Sequence, residues 1–251
     1  MKKRQSRLCS YVLTAALTLG SIFTTALTDT TLADEIERNA AILNATASLN
    51  VYVIRSDARD MLNGEGRVAM QGDYAEDSLN YWRTHDTWLY NSNNERVDIM
   101  SGSRAALTYD YGLEKAAVQR AAELIKNFEH TRPDGRSAVT VLSDMGYSYS
   151  SYGENIARGQ TSAAKVLDDW KEEDQPYSGQ GHRRNMLSED FKYIGIAHIR
   201  YENIDYWVQE FSDTATGANP TDPDDGDEII DIGEPDPTPD PTPDPSGGGD
   251  E

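Results

Sequence analysis

Two histidines and three carboxylates between residues 130 and 182 are the side chains in this sequence best suited to chemistry. His130 stands in FEHTRPDG (128–135), Glu154 in SYGENIARG (151–159), and His182 in GQGHRRNML (179–187). Glu172 and Glu173 follow Trp170. Two imidazoles and a carboxylate on one wall suit Zn²⁺ or another divalent metal, with water in the open position. A carboxylate beside each imidazole would instead fix its tautomer and make a proton relay. A third reading is a satisfied polar cluster that joins helix ends to a sheet, with no turnover. No nucleophile accompanies these residues: there is no G-x-S-x-G, no H-E-x-x-H helix, and Cys9 is the single cysteine. Ser178, in YSGQGH, reads as a turn residue.

The elements that must position these groups are legible in part. Asp110 to Glu129 places Leu113, Ala117, Ala121, Leu124 and Phe128 at helical spacing, and Asp110 suits its N-cap. Pro133 and Asp134-Gly135 stop that helix, so its C-terminal end delivers His130. Thr161-Ser162 opens a second helix carrying Val166, Leu167 and Trp170 on one face, with Glu172 and Glu173 just downstream. FKYIGIAHIR (191–200) and IDYWVQEFS (204–212) are β-rich runs that predict an antiparallel hairpin. Upstream, 34–49 reads equally as a helix or a loosely held leader, 51–66 includes a short helix capped at Ser56 or Asp57 and holding Ala58, Met61 and Leu62, and 73–84 predicts a further helix. An extended WLY segment and a loop follow. Strands mixed with several helices give an α+β layered domain.

Other polar residues carry plainer readings. His198 is expected on a strand face and His85 in a structural or exposed position. Asn155 and Asn185 are expected to bond loop backbone, and Arg183 and Arg184 to be solvated or Glu-paired. Tyr147, Tyr149 and Tyr152 are candidates for a cleft mouth or for packing. DPDDGDE (222–228) lacks EF-hand spacing.

Both ends of the 251-residue chain differ from its middle. MKKRQSR, an apolar run to about Leu27, and T-L-A at 31–33 make a secretory signal peptide, residues 1–33. Cys9 precedes the apolar run, so the mature chain has no thiol and must rely on an ordinary packed core. No later stretch is long enough to span a bilayer. Residues 214–251 hold eight of the ten prolines and no Lys or Arg, which predicts an extended, disordered acidic tail outside the core. The tail supplies more than half of the formal charge of −20, and such acidity argues against a nucleic-acid partner. A Pro-rich acidic spacer suits display at a cell surface, where a surface partner is possible.

HTRPDG, GENIA, a Trp-ended helix, GHRRNML and the YWVQEF strand occur in that order, and with them residues 107–211 resemble the CAP superfamily in its bacterial, SCP-like form. Residues 50–106 resemble it more loosely. The resemblance implies an α-β-α sandwich with a central antiparallel sheet over 34–213, and a cleft holding two histidines and two acids. Those match His130, Glu154, Glu173 and His182, with Glu172 adjacent to the third. It further implies a small lipid or peptide ligand. The disulfides of the eukaryotic branch are absent, so toxin and ion-channel activities do not carry over. Three functions stand side by side: a secreted binding protein with a polar cleft, a metal-assisted extracellular peptidase, and a non-catalytic surface module. If the leader is read correctly, intact mass of protein secreted from a bacterial host begins at or near Asp34; a mass retaining the apolar run would overturn it.

Overall fold

The computed structural model describes residues 51–67 and 72–218, and the backbone of 228–230. The leader, the 34–49 helix, DPDDGDE up to Asp227 and the Pro-Asp repeat lie outside those residues. The main sheet runs β5 (Tyr152–Arg158), β7 (Ile204–Ser212), β6 (Tyr193–Tyr201), β1 (Val51–Val53), β8 (Glu228–Ile230), with neighbours antiparallel. β4 (Thr108–Tyr109) pairs parallel to β6. The expected hairpin is β6–β7, with Tyr201 opposite Ile204 and both turn residues, Glu202 and Asn203, at positive φ. That backbone suits a two-residue turn whose twist matches the strands.

Alternation along the strands divides the core into two layers. On one face Ile194, Ile196, Trp207 and Phe211 meet α1 (Arg55–Asn63), α2 (Leu79–Thr84), α5 (Ala163–Trp170) and α6 (Gly181–Leu187). On the other, Ala197, Ile199, Tyr206 and Val208 meet Ala117, Ala121 and Leu124 of α3 (Tyr111–Lys126), while Leu113 and Ala116 pack on α4 (Thr140–Asp144). The result is helices over both faces of a mainly antiparallel sheet, the α-β-α arrangement expected.

The long helix forms for the reasons its sequence gives. Asp110 Oδ1 accepts from the N–H groups of Gly112 (2.9 Å) and Leu113 (3.0 Å), satisfying two donors of the first turn. Gly195 lets α3 lie directly on the sheet: a Cβ there would meet Glu114 N and Leu113 C at 2.1 Å. Ser162 caps α5, accepting from the Lys165 N–H. α1 begins at Arg55 with Ile54 at its N-cap and no side-chain cap bond, so Ser56 and Asp57 lie within the helix and not at the cap expected for them. Two further expectations need correction. The loop predicted after WLY contains β3 (Arg96–Ile99), which pairs with β2 (Thr87–Tyr90) as a separate hairpin. Asn91 closes it, its Oδ1 taking the N–H groups of Asn93 and Glu95, so the NSNNE turn signal marked a hairpin.

The second correction concerns the tail, expected to stand wholly outside the core. Thr216 docks on the first turn of α3: its N–H donates to Asp110 Oδ2 (2.8 Å) and its hydroxyl to Oδ1. Gly112 makes the room, since a Cβ would lie 2.2 Å from Thr216 Oγ1. Further on, residues 228–230 pair with β1, Val51 opposite Ile230. A ladder contributes backbone hydrogen bonds whatever the composition around it. Truncation after Asp213 is therefore expected to lower the melting temperature by several degrees, with about 2–4 °C for each kcal/mol lost. Truncation after Ile232 is expected to leave it within about a degree. Equal melting of both forms would show that neither contact stabilises the domain.

Candidate functional site

The site lies at the β5 edge of the sheet, where α3 ends on one side and α6 begins on the other. Glu154 points toward the α3 face with its side chain 2% exposed. Arg120, fully buried on α3, donates Nε to Glu154 Oε2 at 2.7 Å and Nη1 to Glu123 Oε2 at 2.7 Å. Its Nη2 reaches the Glu129 carbonyl at 2.9 Å, fastening the loop one residue before His130. His130 Nδ1 lies 2.7 Å from Glu154 Oε1 while the ring is 61% exposed. Burial opposes the charge on Arg120, but its bonds to Glu154 and Glu123 outweigh that and raise its pKa. Burial likewise pushes the Glu154 carboxyl up, and the bonds from His130 and Arg120 prevail, holding it below the ordinary carboxylate value.

The second histidine is held by a different acid from the one the motif match gave. His182 Nδ1 lies 2.5 Å from Glu172 Oε1, and Glu172 Oε2 accepts the Arg183 N–H at 3.2 Å. Glu173 is exposed and lines the neighbouring cleft together with Glu172, and of these two adjacent acids it is Glu172 that bonds His182. The reason is local geometry. α5 stops at Trp170, and Glu172 takes a left-handed conformation (φ 48°), a turn that swings its side chain back toward α6. The Trp170 ring lies 5.8 Å from that of His182.

Two arginines fix α6, and neither is free to hold an anion. Arg183 is fully buried, donating to the carbonyls of Trp88 (2.6 Å) and Lys171, with its guanidinium 4.3 Å from the centre of the Trp88 ring. The solvated or Glu-paired role expected for it is thus replaced by a buried staple, and burial pulls its pKa down to about 10. Arg83 donates to the carbonyls of Ala105 (2.7 Å), Met186 (2.6 Å) and Ser188 (2.7 Å), satisfying the C-terminal end of α6. Arg184 bonds the Tyr177 carbonyl and covers its ring at 4.1 Å. Asn155 and Asn185 tie α6 to β5: Asn155 donates to the His182 carbonyl (3.3 Å), Asn185 to the Glu154 carbonyl (3.2 Å) and to Asn155 Oδ1 (2.8 Å).

His198 and His85 stand apart. His198 is buried in β6, with Nε2 2.7 Å from Asp205 Oδ1 and its ring stacked on Trp207 at 3.7 Å. His85 stacks on Tyr81 at 3.8 Å. Tyr147, Tyr149 and Tyr152 pack against the Leu113, Val141 and Leu142 cluster and do not line the cleft.

That cleft, about 670 Å³, opens beside His182. Phe128, Ile156, Trp170, Glu172, Glu173 and His182 are among its walls; His130 and Glu154 are not. The sequence reading also missed Glu210. It is fully buried directly opposite Glu154 across β5 and β7, and neither of its oxygens has a hydrogen-bond partner among the described residues. Burial, then the Glu154 charge, push its carboxyl well above the ordinary value. The signal available was the E in YWVQEF, which shares the core parity of Val208 rather than that of Trp207 and Phe211.

With fold and site in place, the chain can be set among known proteins as a domain of the extracellular CAP type. The model of the cysteine-rich secretory protein (CAP) family matches residues 76–211, and this chain belongs to that family. YkwD of Bacillus subtilis, itself uncharacterized, is 33% identical over 107 residues, which are 42% of this chain and 38% of YkwD. The chain thus spans well under half of that relative. Among solved structures, an extracellular SCP-domain protein of Bacillus anthracis is 23% identical with a TM-score of 0.37, over 43% of this chain and 34% of that one. An outer surface protein of Borrelia burgdorferi is 26% identical with a TM-score of 0.37, over 42% and 76%.

Glu210 yields a pH prediction. Its folded value is raised, so above the ordinary carboxylate range the folded protein keeps a proton that the unfolded chain releases, and stability falls as pH rises. Glu210→Gln removes that linkage. Urea unfolding from about pH 5 to about pH 8 should show a smaller fall for the variant than for wild type. The same fall in both proteins would assign the pH dependence to other groups.

Proposed function

We propose that this is a secreted or surface-displayed binding protein whose cleft grips a polar ligand beside two carboxylate-oriented imidazoles. The observation that carries the reading is the matched orientation of the two rings. His130 and His182 each turn Nδ1 to a carboxylate, and among the described residues neither Nε2 has a hydrogen-bond partner. A carboxylate on one ring nitrogen leaves the other as a neutral lone-pair donor, the form that takes a metal or a ligand proton.

A divalent metal suits this donor set in kind. His130 and His182 would be its protein ligands, with Glu154 and Glu172 orienting them, and it would supply Lewis acidity toward the ligand. Among the described residues no three His, Cys, Asp or Glu side chains converge to hold an ion, so water or ligand atoms would complete the sphere. Metal affinity is accordingly expected to be modest. A peptidase reading has less support: Glu154, tied to Arg120 and His130 and held below its ordinary value, is a poor general base. Acidic residues in the cleft wall favour a polar ligand over a lipid.

Calorimetric titration with Zn²⁺ tests the reading. Wild type should show one weak saturable site that is lost in His130→Ala and in His182→Ala and kept in His198→Ala. Absence of a site in wild type, or binding that survives both His130 and His182 replacements together, would sink the metal reading.

A further inference from the structure

The cleft contains an open length of strand. β5 forms one edge of the main sheet, and its pairing with β7 sets which backbone groups face outward. Gly159 N–H donates to the Asp205 carbonyl (2.8 Å) and Asp213 N–H to the Ser151 carbonyl (3.3 Å), both on the β7 side. With a period of two, Gly153, Asn155 and Ala157 also turn their N–H and C=O toward β7. Glu154, Ile156 and Arg158 turn theirs away. The Glu154 carbonyl is taken by Asn185, and the Ile156 carbonyl is reached by Trp170 Nε1 at 3.4 Å. Beyond that point, among the described residues, the N–H groups of Ile156 and Arg158 and the Arg158 carbonyl have no hydrogen-bond partner. Ile156, Ala157 and Arg158 all line the cleft.

An edge with free donors and an acceptor is a template for one more strand. The two sides of such a strand would meet different chemistry. Toward α5 the wall carries Asp168, Asp169 and Glu172, paired with Lys171, Lys165 and His182, and beside them the exposed Glu173 and Asp174. Toward the end of α3 it carries Phe128, with the Arg158 guanidinium 5.3 Å from the ring centre. Successive side chains of an added strand alternate between these sides.

We infer that the cleft binds an extended peptide segment as an extra strand on β5 at Ile156–Arg158, with basic side chains at alternate positions facing the acidic wall and uncharged ones facing Phe128. This rests on the reading of the cleft as a ligand site and adds the class of ligand. Main-chain bonds supply the register, and the acidic wall supplies the preference for Lys or Arg. The volume of about 670 Å³ holds a few residues, matching the short open edge.

The test uses the purified full chain in the presence of a chelator and a fluorescent end-capped peptide of alternating Lys and Val, followed by anisotropy. Two versions carry N-methyl groups on alternate residues, one at the Lys amides and one at the Val amides. Only one set of amides can face β5, so one methylated peptide should bind as the parent does and the other at least tenfold more weakly. The double variant Glu173→Gln/Asp174→Asn, whose side chains are exposed, should weaken parent binding severalfold. An alternating Glu and Val peptide should not bind. The inference is overturned if the parent shows no saturable binding, if both methylated peptides bind equally well, or if the double variant binds as wild type does. The outcome separates from that of the metal reading. Zn²⁺ binding without peptide binding sinks this inference alone, and peptide binding without Zn²⁺ binding sinks only the metal reading.

Discussion

The guanidinium of Arg120 is the constraint on which the site depends. It is fully buried, yet its bonds go to two carboxylates and one carbonyl, so little of its donor capacity is left unmade. Burying a charge is tolerated only on those terms. By holding Glu154 it sets the acceptor for His130, and by holding the Glu129 carbonyl it sets the loop from which His130 extends. Glu123 then carries the chain of charges outward to Arg132, at 2.7 Å, and Arg132 to Asp144 at 2.7 Å. The loop after α3 is thereby bound to α4 through charged groups rather than apolar packing.

The other half of the site is built differently. His182 depends on a turn after α5 and on α6, itself held by Arg183 and Arg83 through backbone carbonyls. Carbonyls are indifferent to side-chain identity, so these clamps tolerate variation in the segments they grip. The two halves meet at β5, through Asn155, Asn185 and Glu154. Each histidine is consequently oriented by its own support, and the strand between them sets their separation.

Much of this was legible in the sequence because it rests on local rules. The Asp110 cap, the apolar stripe of α3, the Ser162 cap and the β6–β7 hairpin are short-range features, and each takes its expected form. His130, Glu154 and His182 were likewise marked by motifs that persist in order. What could not be read depends on distance along the chain. Choosing Glu172 over Glu173 turns on one left-handed residue, and the identity of adjacent acids carries no signal for it. Arg120 and Arg183 look like surface charges because their partners lie 34 and 95 residues away. The acidic, proline-rich composition of the tail hid its contacts, because Thr216 and residues 228–230 engage the domain through a cap and a ladder, which need no apolar side chains.

The missing side chain at Gly195 has a reach beyond its own strand. Because α3 rests there on bare backbone, no side chain separates helix from sheet at its first turn, whereas further along Ala197, Ile199 and Val208 lie between them. Height is set by hard contact. A side chain added at this position would have to lift the first turn of α3, the helix that also carries Arg120 and leads into the histidine-bearing loop. Sequence drift at this one remote glycine would thus be read out at Arg120 and His130, far from the position that changed.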